Sequence, residues 1–282
     1  MVNTLSELNI ADRLDEITEE WEKAKPFHFV VIDDFLKMEF VERILSDYPT
    51  PDSAIWEHIP YVHQRKKLTL QSDFPGAINE FFSITETEDF INLISNITDI
   101  PKLTSDPELV GGGLHQIMDG GFLDVHIDYN FHPTTKLHRR LNLILYLNPD
   151  WKREYEGYLE LWDMDEKKQI AYIAPIFNRA VIFETNEVSY HGHPKPLKVP
   201  SGVTRKSLAI YYYTQEREQN EVATEHNTVY KQTTGVNGYV KTSTSAVISL
   251  TDRISSKGGK YIIKDLFNRA YRKLKGLPPE NK

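Results

Sequence analysis

The sequence predicts an α+β, mainly β chain in which helices flank an antiparallel β core. Seven short apolar or alternating segments follow one another between residues 109 and 214: LHQIM, FLDVHID, LNLILYLN, YLELWDM, QIAYIAP, RAVIFET and RKSLAIYYYT. Turn signals such as Asp119-Gly120-Gly121 and Asn148-Pro149-Asp150 separate them. Strands at this spacing are typical of a sandwich, a jelly roll or a barrel.

The part of the chain before this core predicts helices and one strand. Residues 1–25 carry apolar side chains at roughly helical spacing, which predicts one helix or two short ones. Residues 27–36 predict a strand, and an amphipathic helix follows and ends before Pro49. Two further helices are predicted in PGAINEFFS and TEDFINLISNITDI. The mixed, polar residues 51–75 predict a long excursion, of the kind that often forms a lid or binding loop.

The chain after residue 214 predicts an extension of a different character. It begins with a polar stretch rich in Thr and Asn, expected on the surface, and ends in a basic amphipathic helix, KYIIKDLFNRAYRKLK. Such a helix either packs on its own domain or binds a membrane surface or an acidic partner. We therefore divide the chain into an N-terminal helical segment (1–25), a core domain (26–215) and a C-terminal extension (216–282).

Composition and charge exclude several classes of protein. The net charge of −8 argues against general nucleic-acid binding, which needs clustered Lys and Arg, although residues 256–282 alone carry +6. The chain has no Cys, so a metal must be held by nitrogen and oxygen ligands. The acidic N-terminus lacks the pattern of a secretory signal, and no apolar run approaches the ~18 residues of a membrane span. We expect a cytoplasmic protein, whose oligomeric state the sequence leaves open.

Three side chains predict a metal site. His126 and Asp128 are two positions apart in FLDVHID, and on a strand this spacing points both to the same face. Taken alone, the pair could equally be solvated on a surface strand. His191 follows 65 residues after His126, after enough strands to bring the chain back across a β-sandwich. Two His and one carboxylate form the facial triad of non-haem Fe(II) oxygenases, which leaves coordination positions open.

Arg205 predicts an anion site beside this triad. It begins the last predicted strand, and Ser207 lies two residues further on the same face. A guanidinium binds a carboxylate through a fixed fork of donors, and a neighbouring hydroxyl can donate to the remaining lone pairs. This arrangement suits the distal carboxylate of 2-oxoglutarate, whereas the alternative is a salt-bridged Arg at a strand end.

Six motifs occur in one order along residues 26–214: PFHFVVIDDFL, GGGLHQIMDGGFLDVHID, LNLILYLNPDW, GYLELWD, SYHGHP and RKSLAIYYY. This ordered set resembles the Fe(II)- and 2-oxoglutarate-dependent dioxygenases, in their prolyl-4-hydroxylase-like branch. The resemblance implies a double-stranded β-helix, the jelly roll also found in cupins, and a dioxygenase domain over residues 26–215. It further implies Fe(II), 2-oxoglutarate and O2 as cofactor and co-substrates, with ascorbate as an additional candidate.

The resemblance also implies roles for individual residues. His126, Asp128 and His191 would ligate iron, and Arg205 would hold the C5 carboxylate of 2-oxoglutarate. Because Asp128 stands where related halogenases have a small residue, hydroxylation is favoured over halogenation. The co-substrate would then be oxidatively decarboxylated to succinate and CO2.

Three more residues are implied in binding the co-substrate. Tyr146 would direct its hydroxyl to the C5 carboxylate, Leu159 would pack against the co-substrate, and Ser207 matches an Arg-x-Ser pairing of some family members. One departure from the family pattern concerns the Gly-Gly usually found before the Leu-x-Leu strand. Here it is Glu156-Gly157, which leaves the shape of that turn open.

His191 and His193 compete for the second His position of the triad. Gly192 permits a close approach of backbone, and the family pattern places the metal ligand directly before this Gly. His193 precedes Pro194, which restricts His193 to extended geometry. We therefore predict His191 as the ligand and His193 as a neighbour in the pocket wall.

The sequence offers three sets of candidates for substrate recognition. The run NFHPTTKLHRR could line an entrance that favours an anionic substrate, or it could be a solvated loop. Its candidate residues are His132, Lys136, His138, Arg139 and Arg140. The basic segment Arg65–Lys67 could belong to a lid. His115 and Gln116 could face either the pocket or the core.

The leading hypothesis is an iron- and 2-oxoglutarate-dependent hydroxylase of a small molecule. The alternative within this class is a peptidyl hydroxylase like the prolyl 4-hydroxylases, which would need an open groove rather than a closed pocket. From other classes, the chain could be a cupin-like protein that holds a metal without turnover, or a degenerate scaffold. Arg205 argues against the cupin-like protein, because a non-catalytic metal module needs no carboxylate clamp. A degenerate scaffold would take up no metal.

Overall fold

The computed structural model describes residues 4–58 and 63–231. Four α-helices are present in this part of the chain: α1 Leu14–Lys23, α2 Met38–Ser46, α3 Gly76–Thr85 and α4 Glu88–Thr98. Short 3-10 turns at Thr4–Glu7 and Ala11–Arg13 precede α1, so the predicted N-terminal helical region is made of three short pieces. None of the helices described is long and apolar enough to cross a membrane.

Twelve strands make up the β core of the described residues. They are β1 Phe29–Ile32, β2 Glu57–His58, β3 Gln64–Leu70, β4 Thr104–Ser105, β5 Gly113–Ile127, β6 His138–Tyr146, β7 Leu159–Asp163, β8 Lys168–Ile173, β9 Arg179–Glu184, β10 Tyr190–His193, β11 Arg205–Thr214 and β12 Val229–Tyr230. The main path runs β1-β9-β6-β11-β5-β10-β7-β8, and each pair along it is antiparallel. The predicted double-stranded β-helix, or jelly roll, is confirmed.

Strand β5 is the element that joins the two halves of this core. Its first half pairs with β11 and its second half with β10. The sequence prediction of a turn at Asp119-Gly120-Gly121 was wrong, because the strand runs through it. Gly120 adopts a φ of +73°, which glycine tolerates, and its N–H donates to the Leu197 carbonyl at 2.8 Å. The turn signal therefore marks an irregularity within one strand.

Side chains of β6 and β11 alternate between the outer face of the sheet and its inner face. On β6, Leu141, Leu143 and Leu145 join a core shared with the helices, while Asn142, Ile144 and Tyr146 line an internal cavity. On β11, Leu208, Ile210 and Tyr212 pack outward, and Arg205, Ser207, Ala209 and Tyr211 point inward. Because side chains alternate along a strand, the apolar outward-facing residues pack against the helices. The inward-facing residues line the cavity and include the polar and charged side chains.

The helices form a layer against the outer face of this sheet. Ile17 and Trp21 of α1 are buried, and the Trp21 indole N–H donates to the Thr98 carbonyl at the end of α4 at 3.2 Å. Thr87 caps α4 by accepting from the Phe90 N–H at 3.3 Å, which satisfies one of the free donors of the first turn. These contacts join α1 to α4 and stabilise the start of α4, while apolar residues of the helices pack in one core with Leu141, Leu143 and Leu145 of β6.

Two segments that the sequence placed at the surface contribute strands beside β5. Within the predicted excursion, β3 pairs with β5 from Gln64↔Leu123 to Leu70↔Leu114. Within the predicted surface segment after residue 214, β12 pairs with β5 through Val229↔Ile127 and Tyr230↔His126. Both segments therefore cover the free edge of β5. The predicted basic helix at the C-terminus lies outside the described residues.

Gly192 lets β10 lie against β5, which generates a prediction. A Cβ at this position would lie 2.9 Å from the Asp124 carbonyl oxygen and 2.9 Å from the Val125 Cα. We expect Gly192→Ala to lower the free energy of unfolding by about 1–3 kcal/mol, measured by urea denaturation, because β10 must move off β5. Gly202→Ala is the control: a Cβ there meets no atom within 4 Å, so only its φ of +84° should cost about 1 kcal/mol. Equal losses in the two variants would contradict this packing.

Candidate active site

His126, Asp128 and His191 converge inside the barrel. The Nε2 of His126 lies 3.5 Å from Oδ1 of Asp128, and the Nε2 of His191 lies 3.5 Å from Oδ2. One donor atom from each residue falls within 4.8 Å of the other two. Pairing of β5 with β10 places His191 opposite His126. This donor set of two imidazoles and one carboxylate could hold a divalent transition metal.

Backbone carbonyls fix both imidazoles in one tautomer. The Nδ1 of His126 lies 2.8 Å from the Asp124 carbonyl, and the Nδ1 of His191 lies 2.9 Å from the Ser189 carbonyl. A carbonyl only accepts, so each Nδ1 carries the hydrogen and each Nε2 keeps a free lone pair. Such partners orient metal-binding imidazoles and raise their basicity.

Arg139 and Asn142 hold the Asp128 carboxylate in place. Oδ2 of Asp128 accepts from the Asn142 amide at 2.8 Å and lies 3.0 Å from a guanidinium nitrogen of Arg139. The same guanidinium donates twice to Oδ1 of Asn142 and lies over the Tyr211 ring, 3.5 Å from its centroid. Arg139 is only 1% exposed. Its burial is compensated by this network.

The charges of the cluster follow from burial and these contacts. Burial alone would raise the pKa of Asp128, but Arg139 and the two His side chains hold it well below its usual range. Burial, assisted by His126, lowers the pKa of His191 to about 4. At neutral pH the cluster therefore presents an ionised carboxylate and a neutral His191, the states that a metal requires.

Arg205 lies in the same cavity and is a buried cation without an acidic partner among the described residues. Its Nε donates to the Gly157 carbonyl at 2.7 Å, and an NH2 group donates to the Tyr146 hydroxyl oxygen at 3.2 Å. Arg205 is 5% exposed, and burial lowers its pKa. Within residues 4–58 and 63–231 no carboxylate forms an ion pair with it. A buried guanidinium without a counter-charge is costly unless a ligand brings one.

The remaining predicted co-substrate residues also line the cavity. Leu159 at the start of β7 and Ser207 on β11 both contribute to its wall. In the turn before β7, where the sequence departs from Gly-Gly, Glu156 adopts φ +57° and ψ −150°. Such a conformation is unusual for a residue with a side chain. It is here that Gly157 turns its carbonyl to Arg205.

The cavity has a volume of about 190 Å³ and a wall with four ionisable groups other than His and Tyr. These are Lys67, Asp128, Arg139 and Arg205, among the residues that the structure describes. Burial lowers the pKa of Lys67 to about 8, against an opposing effect of Asp128, so Lys67 is mainly protonated at pH 7. The cavity therefore carries an excess of positive charge.

The two His side chains that the sequence left ambiguous both reach the cavity. His193 contributes to its wall but stands outside the group of candidate metal-binding atoms. His115 also lines it, and burial lowers its pKa well below the usual range, so His115 is neutral. Gln116 points away, and its amide donates to the Thr204 hydroxyl at 3.0 Å.

Of the run after the triad strand, Arg139 alone is part of the cavity wall. His132 is buried against Asp106 at 3.2 Å, and Lys136 forms an exposed ion pair with Glu225 at 2.7 Å. His138 stacks on Phe131, and Arg140 reaches Glu218 at 3.5 Å. The idea of a basic entrance built from all five residues was therefore wrong, because four of them have partners elsewhere.

Sequence reasoning missed several residues of the cavity wall. Thr228 and Tyr230 come from the extension, and the Tyr230 ring stacks on His63 with centroids 4.2 Å apart. Asn142 was also missed, although its place in the inward-facing register of LNLILYLN was a usable signal. Nothing in the sequence pairs β12 with β5, so Thr228 and Tyr230 had no such signal.

The two neighbouring His side chains allow a matched test of metal binding. We expect His191→Ala to weaken Ni(II) binding by more than the roughly 10–100-fold typical of losing an outer-shell partner, since it removes one of three donors. His193→Ala should retain the affinity, because its ring is outside the donor group. Calorimetric titration of the metal-free protein measures both. The reverse order of effects would assign the ligand to His193.

Stability of the metal-free protein should fall on acidification from pH 6.5 to pH 4. Unfolded His191 takes up a proton near its ordinary pKa of about 6.5, whereas the folded residue does so only near 4. The unfolded state then binds more protons, so the unfolding free energy drops by up to about 1.4 kcal/mol per pH unit. Asp128 acts in the same direction at still lower pH. Urea denaturation in a chelating buffer measures this dependence.

Two variants identify the source of that slope. His191→Gln should reduce the slope between pH 6.5 and 4 and leave the part that His115 contributes, since burial also lowers the pKa of His115. His226→Gln should not, because Glu187 and the Asn227 carbonyl outweigh burial and raise the pKa of His226. A raised pKa contributes stability at low pH that is lost as the pH rises. An unchanged slope in His191→Gln would show that other groups cause it.

Comparisons with known proteins agree with this geometry. The family model of the 2OG-Fe(II) oxygenase superfamily matches residues 112–213, which include the whole His-Asp-His cluster and Arg205. Prolyl 3-hydroxylase OGFOD1 of Mus musculus is 35% identical over 79 residues, covering 27% of this chain and 14% of that protein. OGFOD1 of Xenopus laevis is 27% identical over 201 residues, covering 62% of this chain and 37% of that protein. The chain thus spans well under half the length of these relatives.

Solved structures show the same fold. A prolyl hydroxylase from Trichoplax adhaerens, in complex with a hypoxia inducible factor peptide fragment, has a TM-score of 0.53 and 19% identity, covering 72% of this chain and 92% of that one. A Pseudomonas putida prolyl-4-hydroxylase also has a TM-score of 0.53, with 15% identity over 71% of this chain and all of that one. Sequence match, fold and site geometry agree: residues 112–213 match the 2OG-Fe(II) oxygenase superfamily, and the chain shares the fold of solved prolyl hydroxylases.

Proposed function

We propose that the chain is an Fe(II)- and 2-oxoglutarate-dependent hydroxylase that releases succinate and CO2. One observation carries the proposal: the buried guanidinium of Arg205 has no acidic partner among the described residues, and it shares a cavity with His126, Asp128 and His191. A metal-binding protein without catalytic turnover would have no use for such a buried cation. A co-substrate with a carboxylate at each end would satisfy both the metal and Arg205.

The donor set fits Fe(II). His126 and His191 would contribute their Nε2 atoms and Asp128 one carboxylate oxygen, which leaves positions for the 2-oxo acid and O2. When bound, the iron with 2-oxoglutarate and O2 would supply the oxidising chemistry, with one oxygen atom entering succinate and the other the hydroxylated product. Asp128 favours hydroxylation over halogenation, because its carboxylate fills the place a halide would take.

The protein side chains bind and orient the co-substrate. Arg205 would hold the C5 carboxylate with its fork of donors, and Tyr146, whose oxygen accepts from Arg205, keeps its own hydrogen to donate to that carboxylate. Leu159 would pack on the methylene carbons, and Ser207 lies on the same wall. Arg139 and Asn142 hold Asp128 at a fixed angle. These contacts position the reacting ends before any chemistry occurs.

A small-molecule substrate is the first candidate. The cavity of about 190 Å³ lies below the roughly 300 Å³ at which pockets begin to enclose drug-sized ligands, and it must also accept the co-substrate. This volume supports a small molecule, or the end of a larger one, as the group that would reach the metal.

Peptidyl prolyl hydroxylation is the second candidate. It is supported by the similarity to the prolyl 3-hydroxylase OGFOD1 and by the prolyl hydroxylase structures with the same fold. A prolyl ring is small enough for the cavity, so a peptide could present it from outside. A cupin-like protein without turnover is a weaker reading, because it leaves Arg205 unexplained.

The proposal predicts that two neighbouring basic residues on β11 differ in their contribution to 2-oxoglutarate binding. We expect Arg205→Met to weaken 2-oxoglutarate binding by at least ~30-fold, because a buried charge pair would be broken. Lys206→Met is the control: it removes a positive charge one residue along, where the Lys206 amine donates to the Thr204 hydroxyl at 2.9 Å instead of lining the cavity. It should retain binding.

Calorimetry on the Ni(II)-loaded protein measures the affinity. Succinate formation under air with Fe(II), with ascorbate added to keep the iron reduced, measures uncoupled turnover. His126→Ala should abolish that turnover. If the wild-type protein neither binds 2-oxoglutarate nor forms succinate, the proposed function is wrong.

A further inference from the structure

We propose that Lys67 is a substrate-recognition residue that pairs with an anionic group, a carboxylate or a phosphate, on the molecule to be hydroxylated. The inference rests on the proposed function and adds the charge of the substrate to it. It concerns a residue on β3, an element that contributes neither a candidate metal ligand nor a candidate co-substrate contact.

The pairing of three strands sets the place of Lys67. Lys67 on β3 is opposite Ile117 of β5, and Ile117 is opposite Arg205 of β11. The three residues lie side by side across the sheet and all line the cavity. Lys67 is close enough to Asp128 and Arg205 for their charges to shift its pKa, Asp128 raising it and Arg205 lowering it. Its amine therefore lies within the same pocket as the candidate metal site.

Lys67 has no counter-charge among the described residues. Asp128 is the single carboxylate in the described cavity wall, and Arg139 holds it at 3.0 Å. Against it stand three cations, Lys67, Arg139 and Arg205, so the protein contributes a net charge of +2 to the cavity. A partly buried ammonium keeps a charge at such a place when a ligand supplies the opposite one.

Binding of the metal and the co-substrate does not remove this excess. The two charges of Fe(II) and the two carboxylates of 2-oxoglutarate cancel one another, so the net charge of +2 remains. Within the cavity the C5 carboxylate satisfies Arg205, and the C1 carboxylate with Asp128 satisfies the metal. Lys67 and Arg139 then carry the remaining charge, and Arg139 stays bonded to Asp128 and Asn142, so Lys67 is the cation free to face the substrate. An uncharged substrate would leave Lys67 without a counter-charge in this pocket.

The test uses inorganic phosphate as the probe. Protein loaded with Co(II), which is paramagnetic, and saturated with 2-oxoglutarate is titrated with phosphate while the ³¹P relaxation rate is measured. We expect wild type to relax bound phosphate, Lys67→Met to bind it about 10-fold more weakly or worse, and Lys67→Arg to restore binding in part. Lys168→Met is the control, because Lys168 is exposed at the start of β8, outside the cavity wall.

A second measurement separates the substrate from the co-substrate. The Co(II) absorption spectrum reports 2-oxoglutarate binding, which should be the same in wild type and Lys67→Met. If Lys67→Met loses 2-oxoglutarate affinity and keeps the phosphate effect, Lys67 binds the co-substrate and the inference is overturned. If wild type fails to bind 2-oxoglutarate, the proposed function fails instead. If 2-oxoglutarate binds and phosphate relaxation is the same in Lys67→Met, only the inference fails.

Turnover with matched compounds then identifies the source of the anion. Free L-proline is compared with L-prolinamide, and a capped peptide Ala-Pro-Glu with Ala-Pro-Gln, for stimulation of succinate release. We expect the acid of at least one pair to stimulate more than its amide, and Lys67→Met to remove that difference. The free acid points to a small molecule and the Glu peptide to an acidic peptide. Stimulation by a neutral compound that is unaffected in Lys67→Met would overturn the inference.

Discussion

The continuity of β5 is the constraint on which the candidate site depends. This strand pairs with β11 at one end and with β10 at the other, so it fixes Arg205 and His191 relative to each other. His126 stands on β5, and Asp128 follows directly after the strand ends. A break in β5 would separate the candidate metal ligands from the guanidinium of Arg205. Gly192 allows β10 to lie close to β5. Gly120, within β5, adopts a positive φ that glycine tolerates.

Electrostatics, more than shape, distinguishes the interior of the barrel from an ordinary core. A core of this size would normally be filled by aliphatic and aromatic residues, as the outer face of the same sheet is. The inner face instead buries Arg139 and Arg205 at 1% and 5% exposure. Arg139 is paired within the protein, whereas Arg205 and Lys67 have no described carboxylate. Burying unpaired cations costs stability, and such sites are kept where a bound anion offsets the cost.

Much of the barrel could be predicted from local pattern. Period-two alternation in LNLILYLN and RKSLAIYYYT determined which residues face the cavity, and the His-x-Asp spacing placed two metal-binding side chains on one face. The strand-internal Gly120 was misread because the same residues signal a turn when no partner strand is known. The bend is set by a hydrogen bond to Leu197, far along the chain. Local sequence carries no information about that partner.

The larger error of the sequence prediction was to miss the strands that pair with the edge of β5. The physical reason is the same: local sequence does not identify a distant partner. Strand β3 is polar and β12 is a two-residue strand within a polar stretch, and the place of each is decided by pairing with residues about 50 to 100 positions away. Without that pairing, Lys67 remained one residue of a basic segment, and Tyr230 one residue of a polar one. Prediction from sequence therefore reached the candidate metal ligands and Arg205, which stand on or beside strongly patterned strands. It did not reach the cavity residues that β3 and β12 contribute.

Coverage of this edge also bears on how a peptide could approach. An extended peptide often binds by adding a strand to a free sheet edge, where main-chain hydrogen bonds supply affinity. Along β5 that edge is taken by β3 from Leu114 to Leu123 and by β12 at His126 and Ile127. A peptide would have to displace β3 or β12, or bind without strand pairing. A small anion needs neither, because Lys67 and the candidate metal site already lie in the wall of one cavity.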